Sequence, residues 1–319
     1  MKISIIMPVY NAQSTVQRML DSIKNQTLSD FEVLMINDGC TDSSGKILDE
    51  YACADARFKV FHKPNGGVSS ARQYGLERAK GEYVIHADSD DWIEPTMLEE
   101  LYSQAKKDDA DVVICDFYYD KGSIQQYVRQ QPTTLSPLQV MRDLFQQLHG
   151  SCCNKLVKRA CYNKFNAQFF SGIDYCEDLF FWYQIFLHPS VKISYLNKAY
   201  YHYYCPIGHS SIMGNYNKKF LKMGDMLVNK MEEVLPAGDL KDEAIRRFKI
   251  SQKCGAFEHP IYTAEEYYDI YPECNKYMYN TQQSKINGFL VWLSFQRGFY
   301  RIATSLYKLK NIISQKRVR

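Results

Sequence analysis

Short apolar segments alternate with segments of helical spacing over the first third of the chain. The apolar segments are rich in Val, Ile and Phe, and their sequences are KISIIMP, FEVLMIND, FKVFHKP, GEYVIHAD and ADVVICDF. Between them, apolar residues recur at intervals of three and four, as at Val16, Leu20 and Ile23, which is typical of an amphipathic helix. Strands and helices that alternate in this way predict an α/β fold with a mostly parallel, doubly wound sheet.

Polar residues follow four of these predicted strands. They are Tyr10 and Asn11, Asn37 and Asp38, residues 63–67, and residues 86–91. In a doubly wound sheet the ligand binds beyond the carboxyl ends of the strands. We therefore expect the four loops to converge on one ligand site at that rim.

The rest of the chain predicts helices around a less regular middle. SPLQVMRDLFQQLHG predicts a helix with Ser136 as its N-cap, Pro137 at its first position and Gly150 just past its end. EDLFFWYQIFLHP predicts another, stopped by Pro189. From about residue 214 the pattern is helical. We divide the chain into a first part with the predicted strands (1–118), a middle part (119–213) and a C-terminal helical region (214–319).

Composition and charge exclude several classes of protein. Among the 319 residues no run approaches the roughly 18 apolar residues of a membrane span, and ten cysteines without CxxC spacing favour a reducing compartment. We expect a cytoplasmic protein. Nine Lys and Arg and no acid follow Glu273, so against a total of +3 the residues up to 273 carry −6, which argues against nucleic acid as their ligand.

The sequence HADSDDW concentrates three carboxylates behind an apolar strand. Asp88, Asp90 and Asp91 fall within four positions, and like charges this close disfavour mutual ionisation unless a cation or hydrogen bonds lie among them. Hard oxygen ligands in such a loop suit Mg²⁺ or Mn²⁺ shared with a diphosphate. The alternative is a solvated Asp-rich turn that caps the helix beginning near Pro95.

Six motifs resemble, in order and spacing, those of the family 2 glycosyltransferases with a GT-A fold, of the kind that assembles bacterial polysaccharides. They are PVYN, NDGCTDSS, NGGVSSAR, ADSDDW, NKLVKR and CEDLFF. The resemblance is strong over residues 1–120, fair to about 213 and absent beyond. It implies a GT-A fold and transfer of a sugar from a nucleotide donor, with residues 1–118 as the donor-binding half and residues 119–213 as the acceptor-binding half that carries the catalytic base.

The resemblance also implies a donor site. Pro8, Val9 and Tyr10 are similar to the strand edge that packs against the base, and Asp38 to the carboxylate that accepts from the imide N–H of uracil. Asp88, with Ser89, is similar to the position near the ribose and diphosphate, and Arg72 to the basic contact near the donor. We list these predicted donor contacts together as Pro8, Val9, Tyr10, Asp38, Arg72, Asp88 and Ser89.

The metal and catalytic residues follow from the same resemblance. Asp90 is the expected ligand of Mn²⁺ or Mg²⁺, with Asp91 beside it, and His209 is a further metal or diphosphate contact. Asp178 is the expected general base, and Glu177 orients it or binds the acceptor. Acids at a helix N-terminus also oppose the macrodipole, which is the alternative for this pair. Lys155 either neutralises phosphate or is a surface lysine.

These expectations describe an inverting, metal-dependent enzyme that moves a sugar from a UDP-sugar to a saccharide hydroxyl on a lipid-linked acceptor, in capsule, exopolysaccharide or lipopolysaccharide assembly. Two alternatives stay open: an inactive sugar-nucleotide-binding scaffold, and a phosphatase that uses the DxD sequence. A P-loop is excluded, because Gly39 and Gly45 are separated by five residues and Ile47 stands where Ser or Thr is needed.

A basic amphipathic tail is the last prediction. Trp292, Phe295, Phe299, Ile302, Leu306, Leu309 and Ile313 recur at helical spacing among Lys and Arg residues. Such a helix can lie in an anionic membrane interface, which places the protein at the inner face of the cell membrane. The alternative is packing on the catalytic part or in a homodimer.

Overall fold

A computed structural model of the chain describes residues 1–122, 124–144, 147–205, 217–259, 261–280, 285–294 and 298–316. The chain divides into two compact units, Met1–Ser211 and Ile212–Arg319. The first unit contains the predicted sheet, and the second is built from helices.

One sheet runs through the first unit. Its strands are β1 (Ile3–Val9), β2 (Phe31–Asp38), β3 (Phe58–Lys63), β4 (Tyr83–His86), β5 (Trp92–Ile93), β6 (Val112–Asp120), β7 (Gln125–Val128), β8 (Lys155–Lys158) and β9 (Ile193–Tyr204). The order is β3-β2-β1-β4-β8-β6-β9-β5, and β7 pairs with β6. Strands β1 to β4 are parallel, as are β6 and β9. The mostly parallel sheet is as predicted.

Helices connect the strands. In the first unit they are α1 (Val16–Lys24), α2 (Ser44–Ala54), α3 (Val68–Leu76), α4 (Met97–Lys107), α5 (Pro137–Asp143), α6 (Ala160–Phe165) and α7 (Glu177–Phe186). The apolar face of α1 is fully buried at Val16, Leu20 and Ile23, so the predicted periodicity marks the side that packs on the sheet. On α3, a Cβ at Gly75 would lie 2.6 Å from the Ile6 side chain, so this helix packs closely on β1.

The middle of the chain differs most from the prediction. Strand β8 pairs antiparallel with β4 and β6, and β9 runs for 12 residues beside β6; neither was predicted as a strand. Helix α5 ends at Asp143, well before Gly150, and Ser136 makes no side-chain capping bond. Because β6 crosses residue 118 and pairs with β8 and β9, the proposed donor and acceptor halves share one sheet.

The second unit is helical, as the pattern from residue 214 indicates. It contains α8 (Lys218–Val234), α9 (Asp239–Glu258), α10 (Ala264–Asp269), a 3-10 helix (Pro272–Asn280), α11 (Lys285–Ser294) and α12 (Tyr300–Lys316). Over the described residues, no helix has both the length and the apolar character required to cross a bilayer.

Candidate active site

The carboxyl ends of β1, β2, β3 and β4 bring the four predicted polar loops to one rim. Asn11 accepts at Oδ1 from the backbone N–H of Thr41, 2.8 Å away, which joins the loop after β1 to the loop after β2. Tyr10 is half exposed there, whereas Val9 is buried and Pro8 is partly buried. The exposed ring of Tyr10 is the member of this trio that a ligand can reach.

Arg72 forms the centre of the site. It lies on α3 and is buried, and its guanidinium bonds to three carboxylates. Nη1 lies 2.5 Å from Glu177 Oε1 and 2.5 Å from Asp178 Oδ1, and Nη2 lies 3.0 Å from Asp88 Oδ1. Four residues that the sequence predicted from three separate motifs therefore meet at one point.

Burial changes the acidity of two of these carboxylates, Glu177 and Asp178. Burial, reinforced by the neighbouring Asp178, raises the pKa of Glu177 to about 7 although Arg72 opposes this. Burial also raises the pKa of Asp178, against the effect of Arg72. Burial disfavours the charge of Arg72, yet Asp178, Asp88 and Glu177 together raise its pKa above the ordinary value. The cluster thus keeps a permanent cation beside two carboxyl groups that hold protons more tightly than usual.

Two adjacent cysteines complete the polar contacts of these carboxylates. The backbone N–H of Cys152 donates to Asp178 Oδ2 over 3.1 Å, and the Cys153 thiol lies 3.3 Å from Asp88 Oδ2. Burial raises the pKa of both thiols well above the usual range, so they stay protonated. The sequence did not assign either cysteine to the site, because nothing in its pattern shows that this segment reaches the rim.

Asp38 organises the glycine loop before α3. Its Oδ1 accepts from the N–H of Gly66 at 3.0 Å and from Lys63 Nζ, and its Oδ2 accepts from the N–H of Gly67 at 2.9 Å. The carboxylate is almost fully buried. In this structure it holds the loop, and its contact with a base stays a prediction.

Asp174 is a site residue that the sequence did not predict. It accepts at Oδ1 from the N–H of Ser69, in the first turn of α3, over 2.9 Å. A Cβ at Gly67 would lie 2.2 Å from Asp174 Oδ2, and Gly67 has φ +85°. Asp174 therefore requires glycine in the NGG loop, and joins α3 to the segment that leads into α7.

The three acids behind β4 lie in different environments. Asp91 is buried, and its carboxylate accepts from the Tyr201 hydroxyl at 2.6 Å and from the N–H of Tyr204 at 2.7 Å. Burial and the charges of Asp88 and Asp90 raise its pKa well above the ordinary value. Asp90 is exposed and Ser89 is partly buried. The three acids can lie close together in the sequence because Asp91 is buried with its own hydrogen bonds, Asp88 binds Arg72 and Asp90 is exposed to solvent.

A divalent cation of the Mg²⁺ or Mn²⁺ type would find one exposed carboxylate in this loop, that of Asp90. Among the described residues, no group of three or more His, Cys, Asp or Glu side chains is placed to hold a metal. Mg²⁺ is usually held by one or two carboxylates and by substrate phosphates, and the exposed Asp90 supplies one carboxylate at the rim. His209 lies outside the described residues.

Lys155 corrects both sequence expectations for that residue. Its Nζ is buried and donates to the carbonyl oxygens of His149 and Ser151, each at 2.7 Å, and to Asn154 Oδ1 at 2.8 Å. It is neither a surface lysine nor directed at a phosphate. Its three bonds fix the loop whose next residues, Cys152 and Cys153, contact the carboxylates.

Comparisons with known proteins agree with this geometry. The model of glycosyl transferase family 2 matches residues 4–165. EpsH of Bacillus subtilis is 34% identical over 70% of this chain and 65% of its own length, and the cholesterol galactosyltransferase of Borreliella burgdorferi is 32% identical over 78% of this chain and 71% of its own. The chain thus spans slightly less than two thirds of EpsH.

Solved structures show the same fold. Residues 1–349 of S. aureus TarS, crystallised with UDP-GlcNAc, superpose with a TM-score of 0.71 at 20% identity, over 97% of this chain and 92% of that one. The GT-A fold implied by the six motifs is confirmed. The match to the family model and the sheet with its rim of polar loops lead to one conclusion: this chain belongs to glycosyl transferase family 2.

Proposed function

We propose that this glycosyltransferase is an inverting, metal-dependent enzyme that transfers a sugar from a UDP-sugar to a saccharide hydroxyl. The observation that carries the proposal is the bonding of Arg72 to Asp88, Glu177 and Asp178. It puts a candidate base and a second carboxyl group within hydrogen-bond distance of the same permanent cation, beside the rim where a nucleotide would bind.

Asp178 is the proposed general base. A sugar hydroxyl is a poor nucleophile until its proton is removed during attack, and a positioned carboxylate typically contributes about 10²–10⁴-fold to the rate. The N–H of Cys152 and the guanidinium of Arg72 both donate to the carboxylate of Asp178 and hold it in place. Burial raises the pKa of Asp178, which makes it a better proton acceptor than an ordinary aspartate. Direct attack inverts the anomeric carbon.

Glu177 has the supporting role. It shares Arg72 Nη1 with Asp178, and its raised pKa of about 7 lets it exist in both protonation states near neutral pH. A protonated Glu177 can donate a hydrogen bond to an oxygen of the acceptor saccharide, whereas the ionised form competes with Asp178 for the guanidinium of Arg72. We assign it to acceptor orientation and to control of the basicity of Asp178.

The metal ion would be held by Asp90. Mn²⁺ or Mg²⁺ bound there would supply Lewis-acid neutralisation of the charge on the departing diphosphate, an effect worth several kcal/mol in general. Asp91 has both oxygens engaged by Tyr201 and Tyr204, so we assign it to holding the loop that presents Asp90. Arg72 and Asp88 remain the contacts proposed near the phosphates and ribose.

Support for a uridine donor comes from the TarS structure, which contains UDP-GlcNAc, and from the exposed ring of Tyr10, which follows β1 at the rim. The acceptor is proposed from the resemblance to polysaccharide-assembling enzymes. One relative is named as a cholesterol galactosyltransferase, so its acceptor is a lipid. A lipid-linked saccharide is the acceptor that we propose here.

A transfer assay tests the proposal. The full chain with Mn²⁺ is incubated with a panel of UDP-sugars and saccharide acceptors, and the product linkage is read by NMR. We expect transfer from one or more UDP-sugars, and a β-linked product from an α-linked donor. Retained anomeric configuration would contradict the mechanism, and nucleotide-sugar binding without any transfer or hydrolysis would favour the inactive scaffold.

Calorimetry tests the assignment of the metal. UDP binding is measured with and without Mn²⁺ in the parent, in Asp90→Asn and in Asp30→Asn, a control that neutralises another exposed aspartate. Mn²⁺ should enhance UDP affinity in the parent and the control and have little effect in Asp90→Asn. Equal enhancement in all three proteins would show that Asp90 is not the ligand.

A further inference from the structure

An exposed apolar face runs along the last described helix. Phe299, Ile302, Leu306 and Leu309 are 44%, 50%, 44% and 54% exposed. The opposite side of α12 packs inside the second unit, where Tyr300, Ala303 and Tyr307 are buried. The predicted stripe thus continues along α12 with about half of each of these four side chains exposed.

Helix α11 contributes further exposed rings. Phe289 and Trp292 are 52% and 43% exposed, and their ring centroids are 5.7 Å apart, while Leu290 and Val291 are buried. Both terminal helices thus use one side for packing and expose large apolar residues on another. Contiguous exposed apolar residues on a folded protein commonly mark an interaction surface.

The basic residues beside this apolar face indicate what kind of surface it binds. With about 3.6 residues per turn, Arg301 and Lys308, seven residues apart, lie together along one flank of the stripe, and both are exposed. Lys310 lies along the other flank. No acidic residue follows Glu273 in the sequence. A second copy would set this cationic surface against an identical one, whereas a bilayer with anionic headgroups complements it.

The geometry points to a docking surface for an anionic lipid bilayer, formed by the apolar face of α12 (Ile302, Leu306, Leu309), the adjoining Phe299 and the basic flanks of the helix. The apolar side chains enter the headgroup region, and Arg301, Lys308 and Lys310 contact lipid phosphates. This surface belongs to the second unit, and none of its residues is a proposed donor or catalytic residue, so the inference does not depend on the reaction.

Co-sedimentation with vesicles is the test. The full-length protein is mixed with vesicles of phosphatidylcholine alone or with phosphatidylglycerol added, at rising salt. The parent should pellet with the anionic vesicles only, and less as salt screens the charges. The triple variant Ile302→Ser, Leu306→Ser, Leu309→Ser should bind at least about tenfold more weakly. These side chains are exposed, so the variant is expected to keep its fold, which circular dichroism and thermal unfolding verify.

Charge is tested separately with a matched control. Arg301→Gln with Lys308→Gln should weaken binding by roughly 30-fold, because each basic residue near an anionic surface contributes about fivefold. Lys219→Gln with Lys222→Gln removes the same charge from exposed positions on α8 and should change binding little. Equal losses of vesicle binding in the two double variants would show that only the net charge matters and would contradict the proposed docking surface.

The competing occupant gives a different result. If the face joined two copies, the parent would be a dimer by light scattering, the triple serine variant a monomer, and neither would pellet with anionic vesicles. That outcome, or vesicle binding by the serine variant equal to that of the parent, would contradict the proposal.

Discussion

Nη1 of Arg72 lies 2.5 Å from Oδ1 of Asp178, although the two residues are 106 positions apart in the chain. In this structure the proposed base is therefore bound to a cation that also holds Glu177 and Asp88. A cation bonded to the base lowers its basicity, while burial raises it. The diphosphate of a donor would compete for the same guanidinium, so we infer that donor binding increases the ability of Asp178 to take a proton.

Replacement of Arg72 should cost stability as well as activity. In Arg72→Gln three carboxylates lose their shared buried partner, and removal of one member of a buried ion cluster typically costs about 3–5 kcal/mol. Urea unfolding at pH 7 measures the difference. The control is Arg247→Gln, which removes an i,i+4 pair with Glu243 on α9 and should cost about 0.5 kcal/mol. Similar small losses in both variants would show that the cluster is not held by Arg72.

The pH dependence of stability should reveal the unusual acidity of Glu177. Its pKa rises from an ordinary 4.5 in the unfolded chain to about 7 in the folded protein, so the folded state binds the proton more tightly and loses stability as pH rises through this range. Glu177→Gln mimics the protonated form. Relative to this variant, the parent should lose about 2 kcal/mol between pH 5 and pH 8.

Glu82→Gln is the matched control for that titration. Its bond to Lys106 lowers the pKa of Glu82 in the folded protein, so Glu82 is ionised above pH 5 in both the folded and the unfolded chain. The difference in stability between Glu82→Gln and the parent should therefore stay constant from pH 5 to pH 8. A constant difference for Glu177→Gln as well would contradict the raised acidity that we assign to the site.

The glycine loop offers a test of its contact with Asp174. Gly67 combines φ +85° with ψ 167°, a backbone conformation nearly restricted to glycine, and a Cβ there would approach Asp174 Oδ2 to 2.2 Å. Gly67→Ala should cost about 3 kcal/mol or more of unfolding free energy and weaken UDP binding. Gly122 has a similar φ of +87°, but a Cβ there meets no described atom within 4 Å, so Gly122→Ala should cost about 1 kcal/mol and leave UDP binding unchanged.

The spacing of apolar residues predicted the elements of the first third of the chain. Strands β1 to β4 are short apolar segments, helices α1 and α2 have apolar residues at helical spacing, and Gly39 and Pro64 directly follow β2 and β3. The convergence of Asp38 and Asp88 on one rim also followed, because each lies at or just beyond the carboxyl end of a strand, where one rule of parallel sheets applies. Arg72 lies on α3, and its place in the site followed only from the family resemblance.

The remaining features depend on contacts between distant segments. Strand β8 has only four residues, and β9 is so rich in tyrosine that no alternation of apolar and polar positions is visible. Asp174 and Cys152 bond to residues 105 and 26 positions away, and nothing near them in the sequence indicates those partners. The burial of Asp91 depends in the same way on Tyr201 and Tyr204, both on β9.

The most direct test of the account is the turnover of Asp178→Asn, measured with the donor and acceptor that the transfer assay identifies. The asparagine keeps the shape of the side chain and can still accept from Arg72, but it cannot take the proton of the acceptor hydroxyl. Turnover should fall by about 100-fold or more while UDP affinity, measured by calorimetry, stays within a few-fold of the parent. Turnover within tenfold of the parent, with the fold intact, would show that another group is the base and would contradict the account.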